Sequence, residues 1–399
     1  MNKTNLLKIF KSGVNSVDPE ELVHKHLNLV NNQLSVKCNK KKKQFNLNNF
    51  DKILVIGAGK ASAKMARAVE KILTNKIDAG IISVKKGYTE NLKRIIQIEA
   101  GHPIPDTNSI KAAKKILNLI KKNDKKTLII GLISGGGSSL LCLPEKITLK
   151  EKIRLTQKYL NAGADIKTLN MRRKKLSKIK GGKLAELMLP ATSINFILSD
   201  VVGDDVSIIA SGLTDFDHPQ IINTIIGNNN LSLKGCERKA KELGFETHLI
   251  RKPMVGSAQQ ASSYFFRLAK RKMLQRHKQI KPLCIIAGGE TTVIVKGSGK
   301  GGRCQEMVLS FLNLMNQSTQ KFDNISFLSC GTDGTDGPTQ YAGAYFDFIV
   351  QKKSKLFKND IEKCLKNNDS NTILKKINAL IKTRPTNTNV GDIQILLIK

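Results

Sequence analysis

The sequence predicts an α/β fold built as two units. Three observations carry that expectation. Short apolar runs recur along the chain and end in glycine, helical stretches separate them, and the pattern restarts after Asp217. Strands spaced by helices favour a parallel sheet covered on both faces. A chain of 399 residues is long enough for two domains with separate cores.

The elements follow in order. The first 50 residues read as helical and peripheral. Lys52–Gly57 is a buried strand, Lys60–Thr74 a helix with small residues on one face, and Ala79–Val84 a strand. Asn108–Lys122 is a helix and Thr127–Ile133 a strand. A basic helical region, Lys150–Leu189, leads to the strand Ser193–Ser199. The second unit is expected to hold strands at Asn223–Gly227, Glu246–Ile250, Leu283–Ala287, Thr291–Lys296 and Ile325–Cys330. Its helices are expected at Leu231–Leu243, Val255–Arg276 and Gly302–Met315. A last strand, Ile393–Ile398, is free to pair back on the first domain. The expected domains are 1–212 and 213–399, with about 385–399 packing back on the first.

Composition removes several function classes. Hydrophobic content is 40%, ordinary for a globular protein, and no run approaches the ~18 apolar residues of a membrane span. The N-terminus shows no secretion signal. Seven cysteines without Cys-x-x-Cys pairs suit reduced thiols in a cytoplasm. The net charge of +35 invites a nucleic-acid reading. Yet 55 of the 67 basic residues are Lys, aromatics are 5% and Trp is absent. Nucleic-acid grooves favour arginine forks and stacking aromatics. A solvated lysine surface accounts for the charge, including the run Lys40–Lys43.

Five loops could carry chemistry. Gly57-Ala58-Gly59-Lys60 turns tightly from a strand into a helix whose free N–H groups suit an anion, or is a plain βα turn with a surface lysine. Ser62 stands where a dinucleotide fingerprint has its third glycine. Ser134-Gly135-Gly136-Gly137-Ser138-Ser139 offers a backbone nest with hydroxyls. Ser199–Asp205 brings Asp200, Asp204 and Asp205, as metal ligands or helix caps. Gly288-Gly289-Glu290 precedes Arg303, a cation at a helix start that calls for an anionic partner, with Glu306 the plain candidate. Gly331–Pro338 presents Asp333 and Asp336, for a metal or for two tight turns. Thr386–Asp392 is a sixth polar loop, and His102 reads as a structural histidine. Glycine loops, a lysine, an arginine and aspartates together suit phosphoryl transfer, which needs charge neutralisation more than covalent catalysis.

Six segments in register resemble the glycerate 2-kinases, the class II glycerate kinases with a C-terminal MOFRL domain. They are Val55–Ala61, Gly101–Asp106, Ile133–Ser138, Leu176–Gly182, Leu198–Asp204 and Gly331–Gly337. The resemblance runs from about residue 5 to the end. It implies a Rossmann-like N-terminal domain, a second α/β domain of MOFRL type and an active site in the cleft between them. It implies ATP- and Mg²⁺-dependent phosphorylation of D-glycerate to 2-phosphoglycerate. Lys60 and Arg303 match the family's catalytic positions. Gly57, Gly59, Ser134, Gly135, Gly136, Gly137, Ser138 and Lys180 would bind substrate or phosphate. Asp200, Asp204, Asp333 and Asp336 would hold the metal. The implied partners are D-glycerate and a nucleotide, without nucleic acid or membrane, and a homodimer stays open. Some relatives bear the label hydroxypyruvate reductase, so NAD(P)H-dependent reduction of hydroxypyruvate is the alternative. The chain departs from the family pattern at Leu213, Ser257, Cys304 and Arg384.

Overall fold

The computed structural model describes residues 2–38, 41–161, 171, 173–275, 281–319 and 323–399. Parts of two expected helices, 162–170 with 172 and the end at Arg276, lie outside the described residues, as does Lys40.

The chain forms two compact units. The first comprises Asp18–Asn228 and Asn387–Asn389. It opens with the helix Pro19–His26, capped by Asp18, and a small antiparallel sheet: β1 (Leu27–Val30), β2 (Gln33–Cys38) and β3 (Lys41–Asn46). This sheet corrects the helical expectation for the first 50 residues. Asn31 and Asn32 both take positive φ, 47° and 63°, the requirement of a two-residue hairpin turn. Leu34, Val36 and Cys38 alternate inward along β2.

The main sheet of this unit has β4 (Lys52–Ala58), β5 (Ala79–Lys85), β6 (Ile95–Ala100), β7 (Thr127–Ser134), β8 (Thr192–Leu198) and β9 (Ile221–Gly227). All pairs are parallel, in the order β6-β5-β4-β7-β8-β9. Chain order along the sheet is therefore 3-2-1-4-5-6, the doubly wound arrangement. β4, β7 and β8 are almost wholly buried, as a doubly covered sheet requires. β6, whose burial alternates at the sheet edge, was not expected from the sequence. β9, expected in the second unit, pairs instead with β8.

The second unit comprises Met1–Val17, Asn229–Thr386 and Val390–Lys399. The helix Asn2–Asn15 is not peripheral. Leu6, Ile9 and Phe10 are buried in this unit's core beside Leu233 and Cys236. Its sheet runs β10 (Glu246–Leu249), β11 (Leu283–Gly289), β15 (Asp392–Ile398), β12 (Ile325–Gly331), β13 (Gly343–Phe346) and β14 (Leu380–Ile381). Only β10 and β11 are parallel; the other pairs are antiparallel. The terminal strand β15, free in the sequence to join the first domain, is seven buried residues between β11 and β12. Only Asn387–Asn389 of the C-terminal segment groups with the first unit. Thr291–Lys296 is not a strand: Thr292 makes one isolated bridge, and Ile294 and Val295 face solvent.

Candidate active site

In a doubly wound sheet, ligands bind at the carboxyl ends of the strands where strand order reverses. Here that point lies between β4 and β7. The two glycine loops expected from sequence, Gly57–Lys60 and Ser134–Ser139, leave those two strands.

The loops knit to each other. Lys60 N donates to Gly135 O at 3.0 Å, and Ala61 N donates to Ser134 Oγ at 3.0 Å. Gly59 has φ 147°, and a Cβ there would fall 2.0 Å from Ser134 Oγ. Only glycine permits this approach. Ser62, in place of a third fingerprint glycine, is buried and donates its hydroxyl to Leu132 O at 2.8 Å.

Four side chains crowd the second loop. A Cβ on Gly135 would lie 1.9 Å from Asp200 Oδ2 and 2.1 Å from Asn389 Nδ2, so this amide and carboxylate rest on bare backbone. Asn389 donates to Asp200 at 2.6 Å. A Cβ on Gly136 would lie 3.0 Å from His102 Cδ2 and 3.4 Å from Lys60 Cγ. His102, expected to be structural, therefore stands beside Lys60 at the loop. Ser138 and Ser211 share a hydroxyl hydrogen bond of 2.6 Å. Ala210 and Ser211 both hold left-handed backbone, φ 51° and 62°. Consecutive non-glycine residues there store strain of the kind that clusters at functional sites.

Lys180 reaches this loop from beneath. It is fully buried and donates Nζ to Ser138 O at 2.7 Å. Burial pushes its pKa well below the usual lysine range, and Lys152 and Arg173 add like charge, with Cys142 opposing. Lys152, also buried, donates to Cys142 Sγ at 3.2 Å. Asp204 takes φ 56° and accepts from Asn228 Nδ2 at 2.5 Å, while Asp205 accepts from Ser207 N at 2.9 Å, a turn bond.

The second unit holds the other expected residues. Arg303 opens the helix Arg303–Gln317 and is clamped by two acids. Its Nε and Nη2 donate to Asp392 at 2.6 and 2.9 Å, and its Nη1 donates to Glu290 at 2.7 Å. These anions hold its pKa well above the ordinary arginine value, against the lowering effect of burial. Glu306 is not its partner. That carboxylate accepts from Gln259 and Asn368, and burial raises its pKa.

The loop after β12 separates its two aspartates. Asp336 is buried and accepts from Cys304 N at 3.1 Å, Gln305 N at 2.9 Å and Gln305 Nε2 at 3.0 Å. Its carboxylate caps the helix that Arg303 begins, since Gly302 at the cap position has no side chain to do so. Asp336, expected as a metal ligand, thus stands at the start of this helix. Asp333 accepts from Thr335 N and Oγ1 at 2.9 and 3.1 Å, a local turn. Among the described residues no group of three or more His, Cys, Asp or Glu gathers as a metal site.

Sequence reasoning left out Asp392, Asn389, Glu290 and Ser211 as site residues. Their partners lie 73 to 189 positions away, apart from Glu290 and Arg303, and no local spacing reveals such pairs.

The chain matches a family described as a domain of unknown function, DUF4147, over residues 5–236, and the MOFRL family over residues 283–392. It is 36% identical over 385 residues to the D-glycerate 2-kinase of Thermotoga maritima, covering 88% of this chain and 91% of that protein. It is 34% identical over 440 residues to the glycerate 2-kinase of Pyrococcus horikoshii, covering 98% and 96%. A crystal structure of glycerate kinase from Thermotoga maritima aligns with a TM-score of 0.81 at 32% identity, over 100% of this chain and 99% of that one.

Proposed function

The chain belongs to the glycerate 2-kinase family, and from that premise we propose that it transfers the γ-phosphoryl group of ATP to the 2-hydroxyl of D-glycerate. The observation that supports this most is the position of Lys60 with its two glycine loops at the point where strand order reverses. In the step, the glycerate 2-oxygen forms a bond to the γ-phosphorus as the bond to the ADP oxygen breaks, and the hydroxyl proton passes to solvent water. The transition state is loose and highly anionic, so positioned positive charge and N–H donors stabilise it.

Lys60 supplies a full charge beside Gly136. Gly59 N and Lys60 N are committed to Ser83 O and Gly135 O, so backbone N–H groups of the Ser134–Ser138 loop, with the Ser138 hydroxyl, orient phosphate or carboxylate oxygens. Lys180 acts through the same loop: an anion at Ser138 would favour the charged form of its amine. Arg303, the family's second catalytic position, neutralises anionic charge on the reactants.

Mg²⁺, which is commonly bound by one or two carboxylates plus substrate phosphates, would neutralise and orient the nucleotide. Asp200, half-buried against the bare backbone of Gly135 in the second glycine loop, fits that use best. Asp204 and Asp333 have the right oxygen donors but are bonded locally. A cytoplasmic setting agrees with seven free cysteines. No described helix is long and apolar enough to cross a membrane.

The experiment is an assay of full-length protein with D-glycerate and Mg-ATP, coupled to ADP release, with the product resolved as 2- or 3-phosphoglycerate. ADP release dependent on D-glycerate with 2-phosphoglycerate formed is the expected result. A folded sample that forms neither sinks the proposal. NADH oxidation with hydroxypyruvate in the same sample would replace it with the reductase. The missing third glycine and Lys85 at the end of β5, where a ribose-binding acid is wanted, count against that outcome.

A further inference from the structure

Arg303 is held by two carboxylates of very different character. Asp392, with its side chain 1% exposed, grips Nε and Nη2 together. That two-point bond fixes the plane of a guanidinium. Glu290, with its side chain 42% exposed, makes one contact to the remaining nitrogen Nη1. Glu290 sits there because Gly289, φ 147°, carries the chain tightly past Met254, whose O would lie 2.3 Å from any Cβ at that position.

We propose that Asp392 is a positioning residue that aims Arg303, and that Glu290 holds the seat on its outer edge that an anionic substrate group takes. This rests on the role given to Arg303 above. One guanidinium with two carboxylates sums to a net negative charge, which repels a phosphate or carboxylate. For an anion to bind, one acid must leave. Asp392 is fixed, because unpairing a buried charge is strongly destabilising. Glu290 is free to leave, because an exposed single contact is worth little and water takes its place. Substrate then exchanges with Glu290 on a guanidinium already aimed. Glu290 thus sets a threshold: a group must compete with a carboxylate for Nη1, which favours strongly anionic oxygens over hydroxyls.

The seat takes an anionic oxygen, and two probes distinguish its source. Tripolyphosphate stands for the nucleotide's phosphates and D-glycerate for the carboxylate. Calorimetric titration of the full chain should show one of these binding about two- to fivefold tighter to Glu290→Gln than to wild type, the range expected on removing an exposed competitor. The KM of that same substrate should fall with it. Asp392→Asn should lower kcat about tenfold or more while KM moves less. Asp392→Glu, which restores the charge on a side chain one methylene longer and so misplaces the two-point grip, should recover thermal stability more fully than kcat. Weaker binding of both probes by Glu290→Gln, or a raised Mg²⁺ requirement, would make Glu290 a ligand instead and overturn the proposal. Equal recovery of stability and kcat by Asp392→Glu would overturn the positioning role. Arg303→Lys turning over at the wild-type rate would remove Arg303 from the reaction, a failure of the premise that the titrations report separately.

Discussion

The two sheets release their chains in the same way and then diverge. β4 ends into Gly59 and β11 ends in Gly289; both glycines have φ 147°, and both pass so close to a neighbouring backbone that no side chain fits. The next residue is Lys60 in one unit and Glu290 in the other. Beside Lys60 stand the Gly136 backbone and His102, with Asp200 and Asn389 on the adjacent Gly135. Beside Glu290 stand Arg303 and, beyond it, the buried Asp392. A shared backbone solution therefore presents a cationic side chain at the exit from the parallel sheet and an anionic one at the exit from the mixed sheet. Backbone crowding sets where the side chain goes, and the residue that follows sets what it can attract.

This contrast can be broken in several places. The largest effect is expected at Lys60→Ala, which should lower kcat by about 10²–10³, the scale of losing one group aimed at transition-state charge. A near-wild-type rate in the coupled assay would leave the cationic exit without a role. Next come Gly59→Ala and Gly289→Ala. Each forces a methyl into backbone or hydroxyl atoms, so each should cost about 2–4 kcal/mol in denaturant unfolding. Similar losses sharpen the comparison; a loss at one glycine alone breaks it. Lys180→Met removes a buried amine whose charged form burial disfavours. Stability should hold or rise by about 1 kcal/mol, since apolar replacement of buried charge is often favourable, while turnover falls. Clear destabilisation with full activity would make Lys180 a structural group.

The smallest effect is a slope. Burial lifts Asp336 to about 6, against the donors from Cys304 and Gln305. The folded state then holds its proton more tightly than the unfolded chain. Its contribution to stability is fully present below about pH 4, the unfolded carboxylate range, and is lost as pH rises through about 6. Urea midpoints measured between these values should fall with pH in wild type and flatten in Asp336→Asn. An unchanged slope would show that the Asp336 carboxylate is not shifted.

Much of this was legible in the sequence because it is local. Lys52–Gly57 and Thr127–Ile133 announced β4 and β7 by apolar runs closed with glycine, and the loops after them are where the sheet reverses order. Other parts were hidden for physical reasons. β6 alternates at a sheet edge and β14 is two residues long, so neither gives a strong apolar run. Thr291–Lys296 has strand-like residues, yet Val293 alone of its apolar side chains meets the core while Ile294 and Val295 face solvent. Asp333 and Asp336 looked equivalent in a glycine-rich loop. Only the helix end waiting at Cys304 and Gln305 distinguishes them, and that end is over 30 residues away in sequence.

The placement of the helix Asn2–Asn15 bears on how the protein is made. Its apolar face, Leu6, Ile9 and Phe10, leaves the ribosome well before its partners, which lie at 233–398. The whole parallel-sheet unit is synthesised in between and can close on its own, domain by domain. The early helix waits uncovered until β15, the strand between β11 and β12, is complete. We therefore expect nascent chains stalled near residue 230 to protect the Asp18–Asn228 unit from protease while the first 17 residues remain cleavable. Early protection of those residues would mean that they find another cover first.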